Sequence, residues 1–143
     1  MKPMDEAISS PPQPADKPRG DGRLSTSFRC AFAGIAHVLR SQRNARIHLG
    51  VTLAIVLLGW WLRLTYTEWA IIALTVAVVL VAEMLNTAIE ATIDLTTKRY
   101  HPLAKVAKDV AAGAVLTAAI IAVIVGLLIL GPHLIPRVIT LVR

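Results

Sequence analysis

Three long stretches dominated by apolar residues are separated by short polar ones, at residues 47–62, 69–94 and 110–130. A helix crosses a hydrocarbon core about 30 Å thick with roughly 20 apolar residues. The second and third stretches reach that length, and polar residues at the ends of the shorter first stretch can make up its deficit. The pattern predicts an all-α integral membrane protein with three transmembrane helices.

An amphipathic pattern precedes the first span. Apolar residues recur mostly at spacings of three and four from Leu24 to Leu39, which is the stripe of an amphipathic helix. Because a span follows at once, we expect residues 24–41 to form a helix that lies in the membrane interface. A helix packed on the transmembrane bundle is the alternative, and it requires nearly the same pattern.

The two ends of the chain lack such patterns. Residues 1–22 hold five of the eight prolines and little that can be buried, so we expect a disordered cytoplasmic tail. Glycine and proline interrupt helices, and we expect the third span to end at Gly131, Pro132 and Pro136. The predicted organisation is a membrane domain at 23–131 followed by an outer tail at 132–143.

The positions of the basic residues predict how the chain is oriented. Eight of the fifteen Lys and Arg residues precede the first span and four more lie between Lys98 and Lys108, whereas the connection between the first two spans holds only Arg63. Cytoplasmic segments of membrane proteins carry the excess of Lys and Arg. We therefore expect a cytoplasmic N-terminus and a C-terminus outside the cell. This distribution explains the net charge of +6 without a nucleic-acid partner.

A line of polar residues interrupts the second span. In one helix, Glu83, Asn86, Glu90 and Asp94 fall within an arc of ~80° at ~100° per residue. Measured from Trp69 as an interfacial anchor, they lie between ~21 and ~37 Å along the axis, which runs from inside the hydrocarbon to beyond it. The spacing predicts a polar stripe that leads from the membrane surface into its interior.

Two classes of protein could use such a stripe. A proton-coupled transporter needs an intramembrane carboxylate, whereas a phosphotransferase needs a base near the acceptor hydroxyl and anionic groups near the metal and phosphates. Lys105, Lys108 and Asp109 stand beside the cytoplasmic end of the stripe, where lysine can hold phosphate. These residues favour the phosphotransferase. A small transporter or a catalytically degenerate scaffold is the alternative.

The residues also match a known family. The stretch EMLNTAIEATID (83–94), followed by YHPLAKVAKDVAAGAV (100–115), closely resembles the small integral-membrane prokaryotic diacylglycerol kinases, which include undecaprenol kinases. The resemblance covers roughly residues 23–130. It implies an ATP- and Mg²⁺-dependent lipid kinase of the bacterial plasma membrane, acting on diacylglycerol or undecaprenol, and a homotrimer with active sites between protomers.

The resemblance also implies roles for individual residues. Glu83 is expected to be the general base for the lipid hydroxyl, Asn86 to orient that hydroxyl, and Glu90 to bind Mg²⁺. The lipid substrate is expected to contact Arg23, Glu83 and Ala112. The expected ATP-binding residues are Arg23, Cys30, Gln42, Glu90, Asp94, Arg99, Tyr100, His101, Lys108 and Asp109.

Two of these positions depart from the family pattern. Many members have glutamate where this chain has Gln42, and that glutamate resembles a second metal ligand. Gln42 offers a neutral amide oxygen, so Mg²⁺ is expected to depend more on Glu90 and on the phosphates. Relatives often carry tyrosine at the position of Cys30, which is the chain's single cysteine and so excludes a disulfide within it.

Overall fold

The computed structural model describes residues 23–97 and 99–142, which contain four helices and no strand. These are α1 (Arg23–Ser41), α2 (Arg43–Leu62), α3 (Tyr66–Thr96) and α4 (Pro102–Val142). The last three are long and apolar enough to cross a membrane. The predicted fold class of an all-α protein with three membrane spans is confirmed, and the predicted tail at 1–22 lies outside the described residues.

A tight turn joins α2 to α3. Arg63 adopts the left-handed conformation, with φ of 58°, and its N–H and that of Leu64 donate to the carbonyls of Trp60 and Gly59. Such bonds satisfy carbonyls that a helix end leaves unpaired. Thr65 then caps α3 in a reciprocal pair of hydrogen bonds with Glu68, as in a capping box. The chain therefore reverses over three residues.

Helices α3 and α4 pack antiparallel with an ion pair at each end. At one end Lys108 Nζ lies 2.5 Å from Asp94 Oδ1, and at the other His133 Nε2 lies 2.8 Å from Glu68 Oε1. Glu68 and Asp94 are 26 positions apart, which corresponds to ~39 Å at ~1.5 Å per residue. Because a hydrocarbon core is about 30 Å thick, both ion pairs fit the polar layers. We call the Lys108 end the basic end and the opposite one the tryptophan end.

The third span does not end where the sequence predicted. α4 continues through Pro132 and Pro136 to Val142, so the predicted helix end at 131–136 is wrong, whereas the outer location of residues 132–143 stays a prediction. A proline costs a helix one hydrogen bond, and packing against neighbouring helices can offset that loss. Here Arg137 Nη1 donates to the Trp61 carbonyl at 2.9 Å, and its guanidinium lies 4.8 Å from the centroid of the Trp61 ring.

The beginning of α4 also differs from the prediction. It starts at Pro102 instead of Val110, because proline at the first helical position is already in a helical conformation and its missing N–H costs nothing there. The basic segment that was predicted as a connection therefore forms the first two turns of α4. The connection itself is reduced to residues 97–101.

The amphipathic pattern from Leu24 does form a helix, α1. The C-terminal half of α1 packs near α2 and α3, where Val38 and Ala45 are buried. Its N-terminal half leaves Leu24, Phe28 and Phe32 exposed. A single chain thus has a small core, and most of its large apolar side chains face outward, as expected for a surface covered by lipid or by other chains.

Gly59 provides a test of packing at the tryptophan end. A Cβ there would lie 2.9 Å from Leu64 Cδ1 and 3.0 Å from the Trp69 ring, whereas one at Gly50 meets nothing within 4 Å. Overpacking costs about 1–3 kcal/mol, against a gain of roughly 0.5–1 kcal/mol in helix propensity. We expect Gly59→Ala to lower the thermal unfolding temperature in detergent and Gly50→Ala to leave or raise it. Equal shifts would contradict this packing.

Candidate active site

The four polar residues of α3, which we call the polar ladder, become more exposed toward the basic end. Glu83 is 2% exposed and Asn86 9%, Glu90 is half-buried, and the Asp94 side chain is 66% exposed. This is the order of depth that the helical spacing predicted. The ladder therefore connects the interior of the bundle with its polar surface.

Glu83 lines an apolar cavity between α1, α2 and α3. The cavity has a volume of about 200 Å³, and we call it the Glu83 cavity. Glu83 Oε2 is buried and has no hydrogen-bond partner among the described residues. The other lining residues are Ile35, Val38, Leu39, Ala45, Leu49, Leu80 and Met84. A carboxylate oxygen without a partner in such surroundings is free to accept a proton or hydrogen bond from a ligand.

Asn86 is held in one orientation by Glu90. Its Nδ2 donates to Glu90 Oε1 at 3.2 Å, while its buried Oδ1 has no partner within the described part of the chain. Because an amide carries both donors and an acceptor, this bond leaves the acceptor available. Asn86 also lines an apolar groove of about 610 Å³ between α3 and α4, where Ala111 and Ala114 form the opposite wall.

A buried hydroxyl that the sequence did not single out lies beside these residues. Thr87 Oγ1 is buried and donates to the Glu83 carbonyl at 2.9 Å. Thr and Ser in helices commonly bond the carbonyl four residues earlier, and Thr75 and Thr92 of α3 do the same. The sequence therefore carries no signal that separates Thr87 from them.

A wider cleft of about 620 Å³ opens at the basic end, and we call it the basic cleft. It brings together six of the predicted ATP-binding residues, which come from α3, the following connection and α4. Its lining is Ile93, Asp94, Thr97, Arg99, Tyr100, His101, Ala104, Lys105, Lys108 and Asp109.

Two lysines face this cleft, each beside a carboxylate. Lys108 pairs with Asp94 across the two helices, and Lys105 pairs with Asp109 one turn along α4, both at 2.5 Å. An ammonium group has three donors, so each lysine can bind a further acceptor. The cleft can therefore hold an anionic group while its own carboxylates keep the lysines in place.

The remaining predicted residues lie apart from the basic cleft. Arg23 begins α1, but its side chain is not among those described. Cys30 is exposed on α1, Ala112 is exposed on α4, and Gln42 caps α2 without a side-chain capping bond. None of these four positions is among the described residues that line the basic cleft, although Ala112 lies one turn from Lys108 on α4.

The ladder suits a magnesium ion that arrives with phosphate. Within residues 23–97 and 99–142, no group of three or more His, Cys, Asp or Glu residues could hold a metal ion. Mg²⁺ is usually bound by one or two carboxylates together with phosphate oxygens and water. Glu90 is a half-buried carboxylate between Glu83 and the basic cleft, so its chemistry fits one such ligand.

A buried carboxylate next to an apolar cavity, with a basic cleft farther along the same helix at one end of a membrane bundle, suits a membrane enzyme that joins a lipid substrate to an anionic one. Comparison with known proteins agrees. Residues 29–130 match the family described as prokaryotic diacylglycerol kinase, and the chain belongs to this family of lipid kinases. The resemblance seen in the sequence is confirmed, and the transporter alternative is not favoured.

Individual relatives include two kinds of kinase. A diacylglycerol kinase of Synechocystis sp. is 49% identical over 112 residues, which are 78% of this chain and 64% of that protein. An undecaprenol kinase of Bacillus subtilis is 46% identical over 112 residues, 78% of this chain and 91% of the relative. The diacylglycerol kinase of Escherichia coli K12 is 38% identical over 85 residues, 59% and 69% of the two chains. Similarity therefore does not choose between the two lipids.

The ion pair between Asp94 and Lys108 should contribute little to stability, because their side chains are 66% and 37% exposed. Exposed ion pairs are worth about 0–1 kcal/mol. We expect Asp94→Asn and Lys108→Met each to change the free energy of unfolding in detergent by less than about 1 kcal/mol. A loss well above that limit would show that the pair holds α3 and α4 together.

Proposed function

We propose that the protein transfers the γ-phosphoryl group of ATP to the hydroxyl of a membrane lipid, in a reaction that depends on Mg²⁺. The observation that carries this proposal is the buried Glu83 carboxylate, whose Oε2 has no partner among the described residues and which lies on the same helix as Asp94 of the basic cleft. The names of its relatives support it, since they are kinases of diacylglycerol and of undecaprenol.

Glu83 is proposed to act as the general base. The lipid hydroxyl enters the Glu83 cavity and gives its proton to Oε2, the oxygen that lacks a partner among the described residues. The hydroxyl oxygen forms a bond to the γ-phosphorus, the bond from that phosphorus to the β–γ bridging oxygen breaks, and ADP leaves. Asn86, held in place by Glu90 through one N–H of its amide, can donate the other N–H to the hydroxyl oxygen and orient it.

The basic cleft is proposed to bind ATP. Lys108 and Lys105 offset phosphate charge, and Arg99, Tyr100 and His101 surround the nucleotide at the rim. Mg²⁺, held by Glu90 and the phosphates, would neutralise charge that develops on the transferred group. Asp94 and Asp109 keep the two lysines in position.

We also propose how the protomers assemble and how they are oriented in the membrane. Cys30, Gln42 and Arg23 belong to α1 or its junction with α2, and we place them in the nucleotide site of a neighbouring protomer of a homotrimer, with Ala112 on the lipid side. The basic end faces the cytoplasm of a bacterial cell, α1 lies in the interface of the plasma membrane, and the C-terminus is outside. The charge distribution along the chain supports this orientation.

Replacement of the proposed base tests the reaction. Glu83→Gln should lower kcat by at least about 100-fold, because general base catalysis contributes 10²–10⁴. It should leave thermal stability unchanged or raised, because a buried amide costs less than a buried carboxylate. The assay measures transfer from γ-labelled ATP to lipid in mixed micelles, together with oligomer size.

Glu68→Gln is the matched control, since it makes the same chemical change on α3 at the tryptophan end. It should retain activity per folded protein. Equal activity of the Glu83 variant and this control would remove Glu83 from the role of base.

A second test concerns the nucleotide. Lys108→Met should weaken binding of a fluorescent ATP analogue by about tenfold or more, because a charge-assisted hydrogen bond contributes about 1.5–3 kcal/mol. Arg137→Gln removes one positive charge from the other end of α4 and should leave nucleotide affinity unchanged. If both variants weaken binding alike, net charge and not the basic cleft determines affinity.

A further inference from the structure

Two arginines, Arg63 and Arg137, stand at the tryptophan end. The sequence of α2 and of the first half of α3 contains one acidic residue, Glu68, and α4 contains none beyond Asp109. Glu68 pairs with His133. Neither arginine forms an ion pair with any residue that the structure describes. Both positive charges are therefore available to an anionic ligand.

Arg137 is held in place by Trp61. Its Nη1 donates to the Trp61 carbonyl at 2.9 Å, and its guanidinium lies 4.8 Å from the centroid of the ring. A guanidinium carries five N–H donors in a rigid plane, so this bond leaves most of them for another acceptor. The residues that match the family end at 130, so the contact lies outside the family pattern. A guanidinium fixed in this way is pre-organised to bind a phosphate oxygen.

Arg63 occupies a position that suits glycine better. Its φ of 58° lies in the left-handed region that glycine usually adopts after a helix. Outer connections of membrane proteins also contain few Lys and Arg residues. What arginine adds here is an exposed positive charge two residues from Trp61.

Both arginines lie at the depth of lipid headgroups. Lys108 and Arg137 are 29 positions apart on α4, which corresponds to ~44 Å at ~1.5 Å per residue. A bilayer with its headgroup layers is about 40–45 Å thick. With Lys108 in one polar layer, Arg137 therefore reaches the other, and its contact with Trp61 brings Arg63 to a similar level.

An exposed apolar face of α2 leads from the arginines into the hydrocarbon. Trp61, Leu57 and Leu53 follow one another at intervals of four residues, so they share this face. They are 50%, 64% and 61% exposed. An amphiphile whose phosphate meets Arg137 can lay its acyl chains along this face, whereas a free phosphate ion would leave the face unused. The combination favours a phospholipid.

We propose that Arg63 and Arg137 bind the phosphate of an anionic phospholipid in the leaflet at the tryptophan end, with its chains along the exposed face of α2. We call this arrangement the phospholipid site. Phosphatidylglycerol suits it better than phosphatidylcholine, because a choline group would bring a third positive charge beside the two arginines. The site lies at the opposite end from the proposed phosphoryl transfer, and the inference does not depend on that reaction.

Tryptophan fluorescence can test the phospholipid site directly. The three tryptophans of the chain, Trp60, Trp61 and Trp69, all belong to this end, so their emission reports on it alone. The full-length protein is reconstituted in phosphatidylcholine vesicles with rising fractions of phosphatidylglycerol or phosphatidylcholine whose brominated chains quench tryptophan on contact. We expect the affinity for phosphatidylglycerol to exceed that for phosphatidylcholine by at least about threefold, a modest ratio because exposed charges are screened. Equal affinities would overturn the proposal.

Variants separate lipid binding from a structural role. Arg63→Gly removes the charge and fits the backbone conformation, so the affinity ratio should fall toward one while the thermal unfolding temperature stays or rises. Arg137→Gln should lower the ratio likewise. Arg46→Gln is the control, because it removes an exposed positive charge from the other end of α2, and it should leave the ratio unchanged. A full ratio in either Arg63→Gly or Arg137→Gln, or an equal fall in the control, would overturn the assignment.

Inorganic phosphate distinguishes a lipid from a free anion. Millimolar phosphate on both sides of the membrane, at constant ionic strength, should leave the affinity ratio unchanged, because the ion gains nothing from the apolar face of α2. Loss of the ratio would show that the arginines bind free phosphate and would overturn the assignment to a phospholipid.

Discussion

Keeping a carboxyl group inside an apolar helical bundle is the constraint on which this structure depends. An ionisable side chain at membrane depth costs several kcal/mol unless it is paired or neutral, and one oxygen of Glu83 has no partner among the described residues. An apolar residue of similar size in place of Glu83 would form a more stable bundle. The bundle bears this cost where α1 and α2 cover α3 and leave Glu83 only 2% exposed.

The register of α3 against α4 keeps the buried carboxyl in a fixed relation to the basic cleft. Ion pairs at both ends of the helix pair, Asp94 with Lys108 and Glu68 with His133, would both break if α4 moved by one turn, ~5.4 Å. Such pairs add little free energy, but together they disfavour the shifted arrangements. Gly59 contributes at the tryptophan end, where its missing side chain lets Leu64 and Trp69 approach α2.

Local patterns in the sequence were enough to predict the spans and the polar ladder, because helical period and depth depend only on spacing. The end of α4 could not be predicted in this way. Its two internal prolines indicate a stop, and the contacts that hold the helix beyond them come from Trp61 and Glu68, more than 60 residues earlier in the chain. The Glu83 cavity was missed for the same reason, since three helices form its wall and no single stretch shows it.

Asn86 marks the place where the two substrates of the proposed reaction must meet. Glu83 and Glu90 are ~10 Å apart along α3, whereas reacting atoms must approach to about 3–3.5 Å. A charged triphosphate cannot enter the apolar Glu83 cavity. The apolar chain of the lipid acceptor, in turn, must stay close to that cavity. Asn86 lies between the two carboxylates, with its donor fixed by Glu90 and its acceptor free within the described chain. The buried Asn86 amide, whose Oδ1 has no partner among the described residues, is therefore explained if the lipid hydroxyl and the γ-phosphoryl group come together beside Asn86.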